Sequence, residues 1–198
     1  MPEISNAKVV ILATHGFEQS ELMVPRQKLQ DAGAEVVVVS PEKGQIRGWK
    51  DKDWGERVTV DKSLADVRAD DYDAIVLPGG QINPDLLRVN TQALQLIRDF
   101  LDAGKVVAAI CHAPWLLVEL DVVRDRQVTS YKSIKTDVIN AGGKWVDRSV
   151  VTDGGIITSR NPGDLDAFCA KIIEEIEEGS HAGKRGRRTK SDQRPSAH

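Results

Sequence analysis

The stretch Val106-Val107-Ala108-Ala109-Ile110-Cys111-His112-Ala113-Pro114-Trp115 limits what this chain can fold into more than any other. It begins as an uninterrupted apolar run, the pattern of a strand buried on both faces of a parallel sheet. The run halts at Cys111. Leu116, Leu117 and Val118 then begin a helical pattern, and Pro114 suits its first turn, where a missing N–H is no loss. A nucleophile so placed sits on a sharp strand-to-helix turn. The Gly-x-Ser-x-Gly elbow makes the same turn and needs small residues two before and two after its nucleophile. Here those positions hold Ala109 and Ala113. A thiol at a helix N-terminus faces free N–H groups and the positive end of the helix dipole, so the sequence predicts a favoured Cys111 thiolate. The alternative role is a packing cysteine that happens to end a strand.

Further short apolar runs alternate with helical patterns. Lys8–Ala13 reads as a first strand, and Thr14-His15-Gly16-Phe17-Glu18 as a polar turn. A helix follows to about Ala32, with Pro25 near its first turn and Gly33 at its C′ position. Glu35–Ser40 is a second strand, so the opening is a βαβ unit and the chain predicts a doubly wound parallel sheet. Ligands of such sheets bind outside the carboxyl ends of the strands. Glu18 and Cys111 both lie just past such an end and can therefore meet. Glu18 then has two possible roles, a proton-sharing partner of Cys111 or an acid stabilising a helix N-terminus, and Glu21 is a rival for either. Residues 44–60 read as a hairpin excursion, with Trp49 and Trp54 as loop anchors rather than a binding surface.

Tyr72–Leu77 is another buried strand, ending in Pro78-Gly79-Gly80. Glycines there allow a tight turn and expose N–H groups, so Gly80 with the His112 N–H is a candidate oxyanion hole, or else the turn is an ordinary βα connection. Pro84 and Asp85 cap a short helical turn. Gln127–Tyr131, Lys144–Val146, Val150–Asp153 and Ile156–Ser159 read as short strands. Asn161-Pro162-Gly163-Asp164 opens a last helix whose apolar face includes Cys169, an inert packing residue.

Composition narrows the class. The chain has 198 residues, 40% hydrophobic and 29% charged, which suits one globular domain. No apolar run has the length of a membrane span, and the first residues lack the pattern of a signal peptide. Two cysteines make no disulfide framework, and a reducing cytoplasm is the simplest compartment. The sequence carries no Cys-x-x-Cys or His-Glu-x-x-His and predicts neither a metal site nor a cofactor. The formal net charge is −3; residues 180–198 hold six basic residues and one acid, which leaves the remainder at −8. The expected organisation is a single domain over residues 1–179 and a basic disordered tail over 180–198, a solvated segment or a contact for nucleic acid or an acidic partner.

Several elements agree in order and spacing: Phe17-Glu18-x-x-Glu21-Leu22, Leu77-Pro78-Gly79-Gly80, the Cys111 elbow, Thr129-Ser130-Tyr131, and Thr158-Ser159-Arg160-x-Pro162-x-Asp164-Leu165. Together they resemble the ThiJ/PfpI superfamily, and its PfpI-like intracellular protease branch most closely, over about Lys8 to Ile176. The resemblance implies a flavodoxin-like sandwich of the class I glutamine amidotransferase type. It implies that Cys111 is the reactive cysteine, that Glu18 is its partner acid, protonated beside the thiolate, and that His112 is the histidine following the nucleophile. It also implies that Asp85 is the carboxylate a neighbouring subunit supplies to that histidine in PfpI-like oligomers. Gly79, Tyr131 and His15 complete the candidate substrate-binding set. The chain departs from the family at Ala113, usually Gly, and in the stretch Gln81–Pro84, about one residue long, which bears on the reach of Asp85. His15 stands where Asn or Asp is usual.

Three functions compete. The resemblance implies a cysteine hydrolase of small carbonyls or glycation adducts, in which Cys111 attacks the carbonyl carbon, Glu18 or His112 moves the proton, and Gly80 and His112 N–H groups hold the oxyanion. The second is an intracellular peptidase with a Cys111–His112–Asp85 relay. The third is an oxidant sensor or holding chaperone whose Cys111 becomes a sulfinic acid. The first is preferred, because no stretch suggests a long peptide cleft and a histidine adjacent to the cysteine is an awkward base if the turn aims the side chains apart. All three share stress protection as the biological role; separately, a homo-oligomer is expected, a dimer at the minimum, and the resemblance allows a hexamer in which Asp85 of one subunit approaches His112 of another.

Overall fold

A computed structural model describes residues 3–179; the tail expected over 180–198 lies outside them. The chain runs β1 (Lys8–Leu12), β2 (Phe17–Glu18), α1 (Gln19–Asp31), β3 (Glu35–Ser40), β4 (Gln45–Lys50), β5 (Asp53–Thr59) and β6 (Lys62–Ser63). It continues through β7 (Ala74–Leu77), α2 (Ile82–Leu87), α3 (Thr91–Asp102), β8 (Val106–Ile110), α4 (Pro114–Glu119) and β9 (Gln127–Val128). The last part is α5 (Lys135–Asn140), β10 (Lys144–Trp145), β11 (Val150–Asp153), β12 (Ile156–Ser159) and α6 (Leu165–Glu178). No helix among the described residues is long and apolar enough to cross a membrane.

The main sheet has the order β11-β12-β8-β7-β1-β3-β6. All neighbours are parallel except β11 and β12, whose hairpin forms an antiparallel edge. The expected doubly wound sheet is therefore present. Each central strand is apolar along its length because both faces are covered. On one face Val9, Ile11, Val38, Val76, Ala108 and Ile110 pack with Leu22 and Leu29 of α1 and Phe168 and Ile172 of α6. On the other, Val10, Leu12, Ile75, Leu77, Val107 and Ala109 pack with Ile97 and Phe100 of α3 and Leu116 and Leu117 of α4. Cys169 is buried in α6, as its place on the apolar stripe predicts.

From β1 the chain moves outward through β3 to β6, and from β7 it moves the other way through β8 to β12. That reversal opens a crevice at the carboxyl ends of the strands. Buried Asn83 closes its floor: its Oδ1 accepts from Thr14 N (2.8 Å) and its Nδ2 donates to Pro78 O (2.9 Å), tying the segments after β1 and β7 together.

Some details differ from the sequence reading. Pro25 lies in the interior of α1, not its first turn. Its helix survives because Pro25 is buried and tertiary packing outweighs one lost backbone hydrogen bond. Asp85 caps nothing: the N-cap of α2 is Gln81, without a side-chain cap bond, and Asp85 is an exposed residue of its first turn. Gln127–Tyr131 shortens to Gln127–Val128, because Thr129–Tyr131 turn away to pass behind Cys111. There the Tyr131 N–H donates to the Cys111 carbonyl at 2.8 Å.

Asn83→Ala removes both partners from buried backbone groups. Chemical denaturation should show a loss of about 2 kcal/mol or more, against about 1 kcal/mol for Asn90→Ala, which removes only the N-cap bond to Ala93 N.

Candidate active site

The elbow is present and its strain is explicit. Cys111 has φ +65°, in the left-handed region that side-chain-bearing residues rarely adopt. It is held there by Cys111 N donating to Ser159 O of the neighbouring strand (3.0 Å) and by the Tyr131 bond to its carbonyl. Ala109 and Ala113, the small residues flanking the turn, are fully buried. The thiol is buried at 6% exposure and faces a cavity of about 530 Å³ shared with Glu18, Glu21, Trp49, Asp51, Gly80, His112 and Tyr131, among others.

The acid against Cys111 is Glu21, not Glu18. Glu21 lies in the first turn of α1 with its side chain on the face that packs against the sheet, fully buried, and hydrogen-bonds the thiol. Its Oε2 accepts from the Gly79 N–H at 2.8 Å, while Oε1 has no nitrogen or oxygen partner. Burial pushes this carboxyl up to about 8, the Gly79 N–H opposing and the charge of Glu18 adding to the rise. It is therefore protonated at neutral pH. Glu18, at the N-cap position, is half-buried in the cavity wall and contacts the Ser20 hydroxyl (3.4 Å). The physical reason is helical phase: residues three apart share a face only when both are inside the helix, and Glu18 still has extended backbone, ψ +118°.

Gly79 has to be a glycine. A Cβ there would lie 2.6 Å from Glu21 Oε2 and from Ile110 O, and 2.7 Å from Cys111 Cβ. Gly80, at φ +83°, could carry no side chain either, since its Cβ would meet Gly16 O and the Glu18 N. The turn thus directs the Gly80 N–H at Cys111, joined by the His112 N–H. These are the donors expected for an oxyanion hole, here resting on sulfur.

The thiol departs from expectation. Burial and the negative charge of an ionised Glu21 push it up, against the pull of the Gly80 and His112 N–H groups. The dipole offers little because α4 has only six residues. The repulsion disappears while Glu21 keeps its proton, so the charge state of one group sets how readily the other ionises.

His112 is better placed than its sequence position suggests. Its Nδ1 lies 3.1 Å from Cys111 Sγ and its Nε2 3.1 Å from the Ser133 hydroxyl. Tyr131 stacks on the imidazole at 4.8 Å and Trp115 meets it edge-on at 5.2 Å. Burial pulls the imidazole below its ordinary value, keeping it neutral near pH 7. Within one chain the outer imidazole nitrogen therefore meets the Ser133 hydroxyl rather than a carboxylate. Asp85 is exposed on α2 and is not among the cavity-lining residues. His15 also stands apart: its Nδ1 accepts from Arg47 N (3.0 Å), which anchors the β4–β5 hairpin.

Ser133, Trp49 and Asp51 escape sequence reasoning. Trp49 is not a loop anchor but a residue of β4, which pairs with β2 so that Glu18 and Trp49 lie side by side above the thiol. Only pairing between residues thirty apart could reveal this. Among the described residues no group of His, Cys, Asp or Glu side chains is arranged to hold a metal ion.

The sequence model of the DJ-1/PfpI family matches residues 7–175. The protein named deglycase PfpI from Pyrococcus furiosus is 41% identical over 167 residues, covering 84% of this chain and 98% of that protein. YraA of Bacillus subtilis, which carries a provisional cysteine-protease name, is 40% identical over 161 residues, 81% of this chain and 93% of its own. The crystal structure of Drosophila melanogaster DJ-1beta superposes with a TM-score of 0.78 at 30% identity, covering 87% of this chain and 95% of that one.

Replacing Glu21 with Leu removes a donor to a developing thiolate. Iodoacetamide alkylation of Cys111 at neutral pH, followed by mass spectrometry, should slow by about tenfold or more, the worth of a hydrogen bond to a charged group. Glu18→Gln should change the rate far less, and buried Cys169 should label slowly in every variant.

Proposed function

Since this chain belongs to the DJ-1/PfpI family, we propose that it is a cysteine-dependent hydrolase of small reactive carbonyls or their glycation adducts. The observation that carries the reading is the enclosed thiol of Cys111, bracketed by a protonated Glu21, a neutral His112 and two converging N–H groups. The cavity is compact and suits a small carbonyl better than an extended peptide. The deglycase name of the Pyrococcus relative supports the same chemistry.

The steps follow from the geometry. His112 Nδ1 takes the Cys111 proton, and sulfur bonds to the aldehyde carbon of a dicarbonyl such as methylglyoxal. The carbonyl electron pair moves to oxygen, which accepts from the Gly80 and His112 N–H groups. The oxyanion takes the proton held on His112, which frees the imidazole to remove the C–H proton of the former aldehyde carbon and deliver it to the adjacent carbonyl carbon, while the hydroxyl proton passes from the first oxygen to the second, leaving a 2-hydroxyacyl thioester. Water then cleaves the C–S bond, releases the hydroxy acid and returns the proton to Cys111. The carbon oxidised and the carbon reduced belong to one molecule, so no external oxidant or cofactor is needed. Glu21 keeps its proton throughout and stabilises the sulfur anion. Ser133 orients the ring from Nε2.

A peptidase relay through Asp85 would require a second copy of the chain to bring that carboxylate to a histidine whose outer nitrogen already meets Ser133. Homo-oligomer formation, a cytoplasmic setting and a stress-protective role belong to the same proposal.

Methylglyoxal consumption with hydroxy-acid release should vanish in Cys111→Ala. The pH profile of kcat/KM should be bell-shaped. The acid limb lies below the ordinary imidazole range, where His112, depressed by burial, gains a proton and can no longer accept one. The alkaline limb lies near 8, where Glu21 ionises and repels the thiolate. In Glu21→Gln the alkaline limb should move upward. Persistence of turnover in Cys111→Ala overturns the proposal.

A further inference from the structure

The His112 imidazole is held from outside the cavity as well as from within it. Tyr131 stacks on it with the two planes 23° apart, and the Ser133 hydroxyl meets its Nε2. The remaining ring contact is Trp115, set at 66° to the imidazole with centroids 5.2 Å apart. Trp115 stands in the first turn of α4, and its backbone N–H donates to the His112 carbonyl at 3.0 Å. Side chains joined across such a three-residue turn lie over one another. The indole is fixed in its turn by two other elements. Its Nε1–H donates to Asp137 Oδ2 of α5 at 2.8 Å. The Arg88 guanidinium, at the end of α2, lies 5.3 Å from its ring centroid and donates to Glu119 Oε2 from Nε (3.2 Å) and Nη2 (3.1 Å). Neither Trp115 nor Asp137 is among the residues that line the cavity. Asp137 is exposed and takes part in no ion pair among the described residues.

From this arrangement we infer that Trp115 and Asp137 are positioning residues for His112: the Asp137 carboxylate holds the indole, and the indole holds the imidazole where Nδ1 lies 3.1 Å from Cys111 Sγ. A histidine next to the cysteine in sequence reaches the sulfur in few side-chain settings, and a change of rotamer carries Nδ1 out of range. Stacking on Tyr131 tolerates one ring sliding over the other, and the Ser133 hydroxyl can rotate to follow. A second ring at a steep angle removes that freedom, because only one placement of the imidazole satisfies both neighbours. The bond from the indole N–H to a carboxylate is directional and stronger than one between neutral groups, so it fixes the angle of that second ring. Asp137 thus acts on the thiol through two intermediaries and touches no substrate. The inference rests on the reading of His112 as the group that takes the Cys111 proton.

The test follows the thiol rather than turnover. Alkylation of Cys111 by iodoacetamide is timed by mass spectrometry in the full-length protein at neutral pH. Asp137→Ala should slow it about three- to tenfold, the range that one aromatic contact is worth. Asp137→Asn, whose amide oxygen still accepts from the indole, should keep the parent rate. Trp115→Phe retains a ring but lacks the N–H; it should slow the reaction as Asp137→Ala does, and the double variant should be no slower than either single one. His112→Ala should itself be slow, and adding Asp137→Ala to it should change nothing further. A parent-like rate in Asp137→Ala or in His112→Ala overturns the inference. So does an equal fall in Asp137→Asn, which assigns the effect to lost charge, or a further fall in the His112→Ala background, which assigns it to packing that bypasses the imidazole. Methylglyoxal turnover of the parent and of Cys111→Ala tests the hydrolase reading separately, so either can fail alone.

Discussion

One buried carboxyl holds the site together. Glu21 extends from α1 into the space between the ends of β7 and β8, takes the Gly79 N–H, and meets the Cys111 thiol. A charged group could not remain there, because desolvation of an unpaired carboxylate is too costly. The protein resolves this by keeping the proton, and the protonated acid is then a donor aimed at sulfur. The requirement for glycine at 79 follows directly, since any side chain would occupy the carboxyl's place. So does the tight turn that brings the Gly80 N–H to the thiol.

The second constraint is backbone strain at Cys111. A left-handed φ at a residue bearing a side chain costs about 1–3 kcal/mol. Here the surrounding sheet imposes it: β12 holds the Cys111 N–H, the segment after β9 holds its carbonyl, and small residues flank it. The same turn swings His112 around so that its Nδ1 reaches the sulfur of the preceding residue. Adjacent residues on a regular strand would point to opposite faces. The strained turn is therefore what brings a neighbouring imidazole within hydrogen-bond reach of the sulfur.

The small sheet of β2, β4 and β5 forms one wall of the cavity above the Cys111 turn. It pairs Glu18 with Trp49 across the cavity mouth and places Asp51 at its turn. His15 supports this layer by accepting from Arg47 N. Reactivity and entry are thus built from separate parts of the chain, the first from the ends of parallel strands and the second from a hairpin folded over them.

The parallel sheet, the elbow and the place of Cys111 on it are legible in the sequence, because each is written in local pattern: apolar runs for doubly covered strands, small residues around the turn, and glycines after Pro78. The DJ-1/PfpI membership was legible for the same reason, as those motifs keep their order. Three-dimensional packing alone selects which acid meets the thiol. Glu18 and Glu21 are both plausible on spacing, and the choice depends on where helical backbone begins and how α1 is rotated against the sheet. It likewise decided that Ser133, not Asp85, takes the outer nitrogen of His112 within the chain, and that Trp49 faces the cavity. These contacts join segments distant in sequence, and their geometry is set by packing that no local pattern encodes.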